Sequence, residues 1–262
     1  MLHHLSKQII IADKNNIKIP KFTSFTKTWH NKPYASISPS RPELSAKGKN
    51  VVVTGGGTGI GKAIAIAFAQ AGAASISILG RRIDRLKSAV KEITAAAVNS
   101  DTSVLFQTAD LTKREEVDTA LQSFVSKVGK ISILVANAGA LPELGPLATM
   151  HATSFMKGFE INVLTCLNAV QAFIPVADSN AMVFSISSGI GHIAPMPGMS
   201  SYAASKSAGI KMIDYFAAEN PDLHFVHIQP GVVSTEINEG TSVVGQDERE
   251  CYSSGSWIRC TD

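Results

Sequence analysis

Cysteine is scarce in this chain: Cys166, Cys251 and Cys260 are the only three in 262 residues. An odd count, at spacings unlike those of a metal site, supplies neither a disulfide framework nor a thiolate cluster, and points to a reducing, cytoplasmic location. Long apolar runs are missing too. None approaches the roughly 18 to 20 residues of a membrane span, so no span is expected. His192, His224 and His227 form no ligand constellation, so no metal is expected either. Charged residues are few, 17% against 45% hydrophobic, which is the balance of a folded domain and not of a disordered one. The small net charge of +3 conceals a division. Residues 1–49 hold nine Lys/Arg against Asp13 and Glu43, whereas the remainder carries fifteen against nineteen. A basic arm thus precedes a mildly acidic body, which argues against a nucleic-acid groove on that body. The arm has no Arg before Arg41 and no apolar core segment, so it is read as an irregular extension and not as a mitochondrial address. The final Arg259-Cys260-Thr261-Asp262 is no peroxisomal address.

What is present begins at Asn50. Val51-Val52-Val53 reads as a short buried strand that runs into glycines, followed by a nearly all-apolar helix from about Gly59 to Ala71. Strand Ser75–Leu79 and a helix with Leu86, Ala89, Val90 and Ile93 at helical spacing come next. Strand Ser103–Gln107, helix Lys113–Val128 and strand Ile131–Ala136 continue the alternation. A long helix over 150–177, strand Met182–Ile186, helix Ser201–Glu219 and strand Leu223–Ile228 complete it. Strands that are apolar throughout, alternating with helices, mean a parallel sheet covered on both faces. The expected fold is α/β: a single Rossmann-like, doubly wound parallel sheet in a three-layer αβα arrangement. The division is an arm over 1–49, a domain over 50–239 and a polar, poorly structured tail over 240–262.

Between the first strand and first helix lies Thr54-Gly55-Gly56-Gly57-Thr58-Gly59-Ile60-Gly61. Glycines allow a tight turn and a close approach of backbone to a pyrophosphate, and the helix start offers free N–H groups. Such turns also serve purely structural corners. The spacing departs from the general Gly-x-Gly-x-x-Gly fingerprint. About 20 residues further on, where an acidic group would accept from an adenosine ribose hydroxyl, stands Gly80-Arg81-Arg82. A guanidinium suits a 2′-phosphate. Arg81 is the expected contact, and Arg82 is expected to be a solvated helix start.

A second constellation is Tyr202-Ala203-Ala204-Ser205-Lys206. Four residues apart on a helix, the phenol and the ammonium share a face. A neighbouring cation would lower the phenol pKa from its free value of ~10 toward the range where acid–base catalysis is efficient.

Together these segments resemble the short-chain dehydrogenase/reductase family, which uses Thr-Gly-x-x-x-Gly-x-Gly and Tyr-x-x-x-Lys. The likeness spans about Lys47 to Glu239. The longer Ser-to-Tyr spacing and the Pro-Met-Pro-Gly-Met stretch are similar to fungal members with an N-terminal extension. The resemblance implies cofactor contacts from Gly55, Gly57, Thr58, Gly59, Ile60 and Gly61, and from Arg81, Asp110 and Leu111. It adds Asn137, Ala138 and Gly139, then Pro230, Gly231, Val233 and Thr235, besides Tyr202 and Lys206. NADP(H) is the expected cofactor. NAD(H) is the alternative, since relatives preferring NADP(H) often carry a basic residue where Thr58 stands.

The catalytic set implied by the resemblance is Asn162, Ser188, Tyr202 and Lys206. Tyr202 would exchange a proton with the substrate oxygen and Ser188 would orient that oxygen, with Ser187 turned away. Lys206 would tune Tyr202 and bind the nicotinamide ribose, and Asn162 would hold a relay water, a role compatible with capping a kink. The partner would be a small carbonyl or alcohol.

After Gly240 the α/β periodicity stops, where family members build a substrate-covering segment and a further strand. The expectation is an atypically short end that leaves strand six as an edge and weakens a homo-oligomer contact. A reading from another class goes with it: a catalytically impaired protein that only binds NADP(H) or a partner.

Overall fold

In the computed structural model, residues 34–193, 195–231, 233, 235–236 and 258–260 are described. Six parallel strands make the body of the sheet: β1 (Asn50–Thr54), β2 (Ser75–Gly80), β3 (Ser103–Thr108), β4 (Ile131–Ala136), β5 (Ala177–Ile186) and β6 (His224–Ile228). The helices are α1 (Gly59–Gln70), α2 (Ile83–Ala96), α3 (Arg114–Val128), α4 (Ala152–Phe159), α5 (Thr165–Phe173) and α6 (Ser200–Glu219). A short β7 (Ile258–Cys260) pairs antiparallel with β6, giving the order β3-β2-β1-β4-β5-β6-β7. The parallel part has the 3-2-1-4-5-6 order of the doubly wound dinucleotide-binding fold.

Strand residues alternate between two cores, which is why the strands are apolar on both sides. Val52, Leu134, Val183 and Phe225 pack on one face with Phe124 of α3, Phe173 of α5 and Ile213 of α6. Val51, Val53, Ile133 and Val135 pack on the other with Ala65 and Ala69 of α1 and Leu86, Ala89 and Ile93 of α2. Each buried Val, Leu, Ile or Phe side chain among them contributes about 1.5–3 kcal/mol.

Three local departures from expectation have physical reasons. The expected 150–177 helix is not uniform, because Glu160–Leu164 forms a π-helical turn between α4 and α5. Strand β5 begins at Ala177, but its register shifts, and the regular pairing with β4 runs from Met182. Third, β6 is not the outermost strand, because β7 covers its edge within the segment read as a polar tail.

The helical stretch Ala152–Val176 is, by length and mean hydropathy of 1.4, long and apolar enough to cross a membrane, although no such run stood out in the sequence. Its buried side includes Ala169, Val170 and Phe173, which belong to the sheet's core. Asn168 in the same helix donates to Leu111 O at 2.8 Å. This apolar character is that of a helix packed on a sheet.

Candidate active site

Strand order reverses between β1 and β4, and a cleft of about 390 Å³ opens there at the carboxyl ends of the strands. A joint between the two strand ends shapes its floor. Thr54, buried, donates through Oγ1 to Val135 O (3.2 Å) and accepts from the amides of Asn137 (2.9 Å) and Ala138 (3.0 Å). Asn137 returns a bond from Nδ2 to Thr54 O at 2.9 Å. Thr54 was not among the expected site residues, yet it holds two strands in register at the point where they diverge.

The glycines divide by function. Gly55 has φ +67°, and a Cβ there would lie 2.9 Å from Asn137 Nδ2. At Gly61 a Cβ would strike Gly55 O and Asn137 Nδ2, and at Gly56 it would come within 2.6 Å of Ile78 Cγ2. These three are glycines because the loop packs on its own β-strands. Gly57 differs, since a Cβ would make only ordinary contact with Arg85 at 3.4 Å. Gly55, Gly57, Thr58, Gly59 and Ile60 line the cleft, whereas Gly61 supports it from behind.

The outer end of the cleft is cationic. Arg81, Arg82 and Arg85 all border it. Arg82, expected to be merely solvated, donates to Thr58 Oγ1 (3.2 Å) and to Glu236 Oε2 (3.1 Å). Arg85 lies 3.4 Å from the other Glu236 oxygen. Arg82, Arg85 and Glu236 escaped sequence reasoning because their partners lie far away in the chain. Asp110 follows β3 and accepts from the amide and hydroxyl of Thr112 at 3.0 and 2.8 Å. Those bonds, chiefly the backbone one, hold its carboxyl below the usual range, aided by the charge of Arg81. Leu111, Ala138 and Gly139 continue the wall, and Pro230, Gly231, Val233 and Thr235 close it after β6.

The inner end is built on α6. Its first turns are locked to α4 and the π turn. Ser201 Oγ donates to Phe155 O at 2.6 Å, and a Cβ on Gly158 would strike that hydroxyl. Asn162, in the π turn, spends its side chain on Ala140 N and O, both at 3.0 Å, and on Ser205 Oγ at 3.1 Å. It is buried and lies behind the wall instead of on it. A π turn is a common means of re-aiming one residue at a functional site.

Tyr202 and Lys206 face the cleft, with Lys206 Nζ 5.8 Å from the Tyr202 ring centroid and donating to Ile186 O at 3.1 Å. Ser188, just past β5, shares a hydrogen bond with the Tyr202 hydroxyl. Ser187, expected to turn away, borders the cleft, but its hydroxyl donates to Ile228 O at 3.2 Å.

The electrostatics differ from the sequence-based expectation. Burial pushes the Tyr202 phenol above its ordinary value, and the Ser188 hydrogen bond pulls only partly against it. Burial likewise pushes the Lys206 ammonium down. In both groups desolvation is the largest influence and disfavours the charged form. Behind Lys206, burial pushes the Cys166 thiol up to about 11, so it is no nucleophile at neutral pH. Between Tyr202 and the rim the wall is uncharged apart from Lys206: Leu141, Ile190, Ile193, Met196 and Met199 supply apolar surface, and Gln229 an amide.

Comparison with known proteins gives a consistent result. The family model described as short chain dehydrogenase matches residues 49–243. The short chain dehydrogenase pigC of Monascus ruber is 30% identical over 243 residues, which is 90% of this chain and 78% of that protein. The short chain dehydrogenase andI of Emericella variicolor is 28% identical over 223 residues, 84% of this chain and 76% of that one. Among solved structures, the alcohol dehydrogenase of the archaeon Thermococcus sibiricus, complexed with 5-hydroxy-NADP, superposes with a TM-score of 0.67 at 26% identity. That match covers 74% of this chain and 81% of that protein.

Proposed function

The chain belongs to the short chain dehydrogenase family of oxidoreductases, and from that premise we propose that it interconverts a carbonyl and a secondary alcohol with NADP(H), using Tyr202 as general acid and base. The observation that carries this reading is one cleft with two chemically distinct ends. At one end a glycine loop and helix start meet three arginines, and at the other the Ser188 and Tyr202 hydroxyls converge beside Lys206.

The residues fit a dinucleotide. Gly57 leaves the loop wall without a side chain, and α1 begins there with no side-chain cap on its first amides. Arg81, Arg82 and Arg85 would hold a 2′-phosphate, with Asp110 and Leu111 on the adenine side and Asn137 to Gly139 and Pro230 to Thr235 along the remainder. The bound cofactor supplies or accepts a hydride. The likeness to the Thermococcus sibiricus alcohol dehydrogenase, solved with an NADP derivative bound, agrees with this assignment.

The chain's own residues handle the proton. Tyr202, with its pKa raised, retains its proton through the neutral range and so can donate it to a carbonyl oxygen. Ser188, hydrogen-bonded to the same phenol, orients that oxygen. Lys206, anchored on Ile186 O, stabilises the phenolate left behind. Asn162 serves as a positioning residue, fixing α6 against the loop at Ala140.

The test is NADPH oxidation over a panel of neutral aldehydes and ketones, with Tyr202→Phe alongside. Turnover should fall by about 10²–10⁴-fold in the variant, with NADPH affinity within about twofold. A variant that turns over like the parent sinks the assignment of Tyr202. A parent that binds NADPH yet reduces nothing favours a binding-only protein.

A further inference from the structure

The cationic rim already has an anion of its own. Glu236, on the segment after β6, pairs with Arg82 at 3.1 Å and Arg85 at 3.4 Å, while Arg82 also reaches Thr58 at 3.2 Å. The carboxylate thus ties the segment after β6 to the start of α2, and the Arg82 guanidinium ties that start to the glycine loop at Thr58. Its neighbour Thr235 stands against Gly59, where a Cβ would come within 3.3 Å of Thr235 Cγ2. The Glu236 side chain is 32% exposed, less than the 59% and 55% of its arginine partners, so the carboxylate is the inner member of the group.

We propose that Glu236 competes with the cofactor's 2′-phosphate for Arg82 and Arg85, and thereby sets how strongly the chain prefers NADP(H) over NAD(H). This inference rests on the dinucleotide reading of the cleft. A phosphomonoester and a carboxylate use the same guanidinium N–H donors, so binding the phosphate exchanges one anion for another. The gain from the 2′-phosphate is then the difference between two charge-assisted contacts and not the whole of one. A cofactor with a free 2′-hydroxyl makes no such demand and leaves the ion pairs closed. Removing the negative charge at position 236 should favour the phosphorylated cofactor alone. Solvent-exposed ion pairs are weak, which bounds the effect to a modest factor.

The experiment is equilibrium binding of NADPH and of NADH, followed by the fluorescence of the reduced nicotinamide, on the full chain and on Glu236→Gln. The amide keeps the shape of the side chain and removes its charge. NADPH should bind roughly 2–5-fold tighter to the variant, the upper part of the range expected of an exposed pair, with NADH within about 1.5-fold. The difference should shrink as salt is raised. If NADPH affinity is unchanged or weaker, or if both cofactors tighten equally, Glu236 does not compete with the phosphate. If the parent chain binds neither cofactor, the dinucleotide reading itself fails and this inference falls with it. A parent that binds both, with a ratio the variant does not move, sinks the inference alone.

Discussion

At the scale of single residues, Lys206 shows how a site can work against the stability of its own fold. Its amine is held in the cleft wall with a backbone carbonyl as acceptor, and burial depresses its pKa. A group whose charged form is disfavoured in the folded state binds fewer protons there than in the unfolded chain. Stability therefore rises with pH between the depressed folded value and the ordinary value near 10.5. Below that window the full cost of enclosing the ammonium is present. Lys206→Met should remove the cost, keep most of the volume, and abolish turnover while stabilising the chain at pH 7 by about 0.5–2 kcal/mol. Thermal melts of both proteins from pH 6 to 10 test this, since the advantage of the variant should shrink as pH climbs through the window. A variant less stable at pH 7, or an advantage independent of pH, would show that the bond to Ile186 outweighs desolvation. Tyr202 runs the other way. Its raised pKa means that the folded state keeps a proton the unfolded chain loses, so its contribution declines above pH ~10.

At the scale of elements, the glycine-rich loop separates what the fold requires from what a ligand would require. Gly61 cannot accept a side chain without moving Gly55 O and the Asn137 amide, both part of the β1–β4 joint. Gly57 can, because its nearest neighbours are at ordinary contact distance. Gly61→Ala should accordingly lose about 2–4 kcal/mol, in the range of a core strain that has no cheap relief. Gly57→Ala should melt within about 1 kcal/mol of the parent and still bind NADPH more weakly. Chemical denaturation of the two variants decides the matter, and equal losses would refute the division. This distinction was not legible in the sequence, where Gly55, Gly57, Gly59 and Gly61 all read as cofactor glycines. The alternating elements and their order were legible, because strands buried on both faces are apolar throughout and helices keep their period. The π turn at Glu160–Leu164 was not, since a single added residue in a helical repeat leaves the apolar pattern almost unchanged. Tyr202 and Lys206 stood out because four-residue spacing suffices to put them on one helix face, whereas Ser188 was reached through the family resemblance. The Arg82–Glu236 contact spans 154 residues of sequence, and no local pattern can announce such a pair.

At the scale of the whole molecule, the cleft draws its walls from the ends of all six parallel strands, so anything bound in it fastens both halves of the sheet to each other. Charge is segregated along its length: Arg81, Arg82, Arg85, Asp110 and Glu236 lie at the rim, and the inner wall is uncharged save for Lys206. A ligand carrying phosphate at one end and an uncharged reactive group at the other matches that distribution better than one charged throughout. Binding to the folded state alone stabilises by mass action, about 2.7 kcal/mol at a hundred times Kd. For a chain of this size each kcal/mol raises Tm by about 2–4 °C, so saturating NADPH should raise it by roughly 5–11 °C. NADH at the same concentration should give a smaller rise, and Arg81→Ala should narrow the difference, because only the phosphorylated cofactor uses the cationic rim. Melting curves with each cofactor at matched concentration measure this directly. Equal shifts for the two cofactors would move specificity away from the rim. A shift with NADPH that survives Arg81→Ala would instead leave the phosphate to Arg82 and Arg85, the two arginines that Glu236 already holds in place.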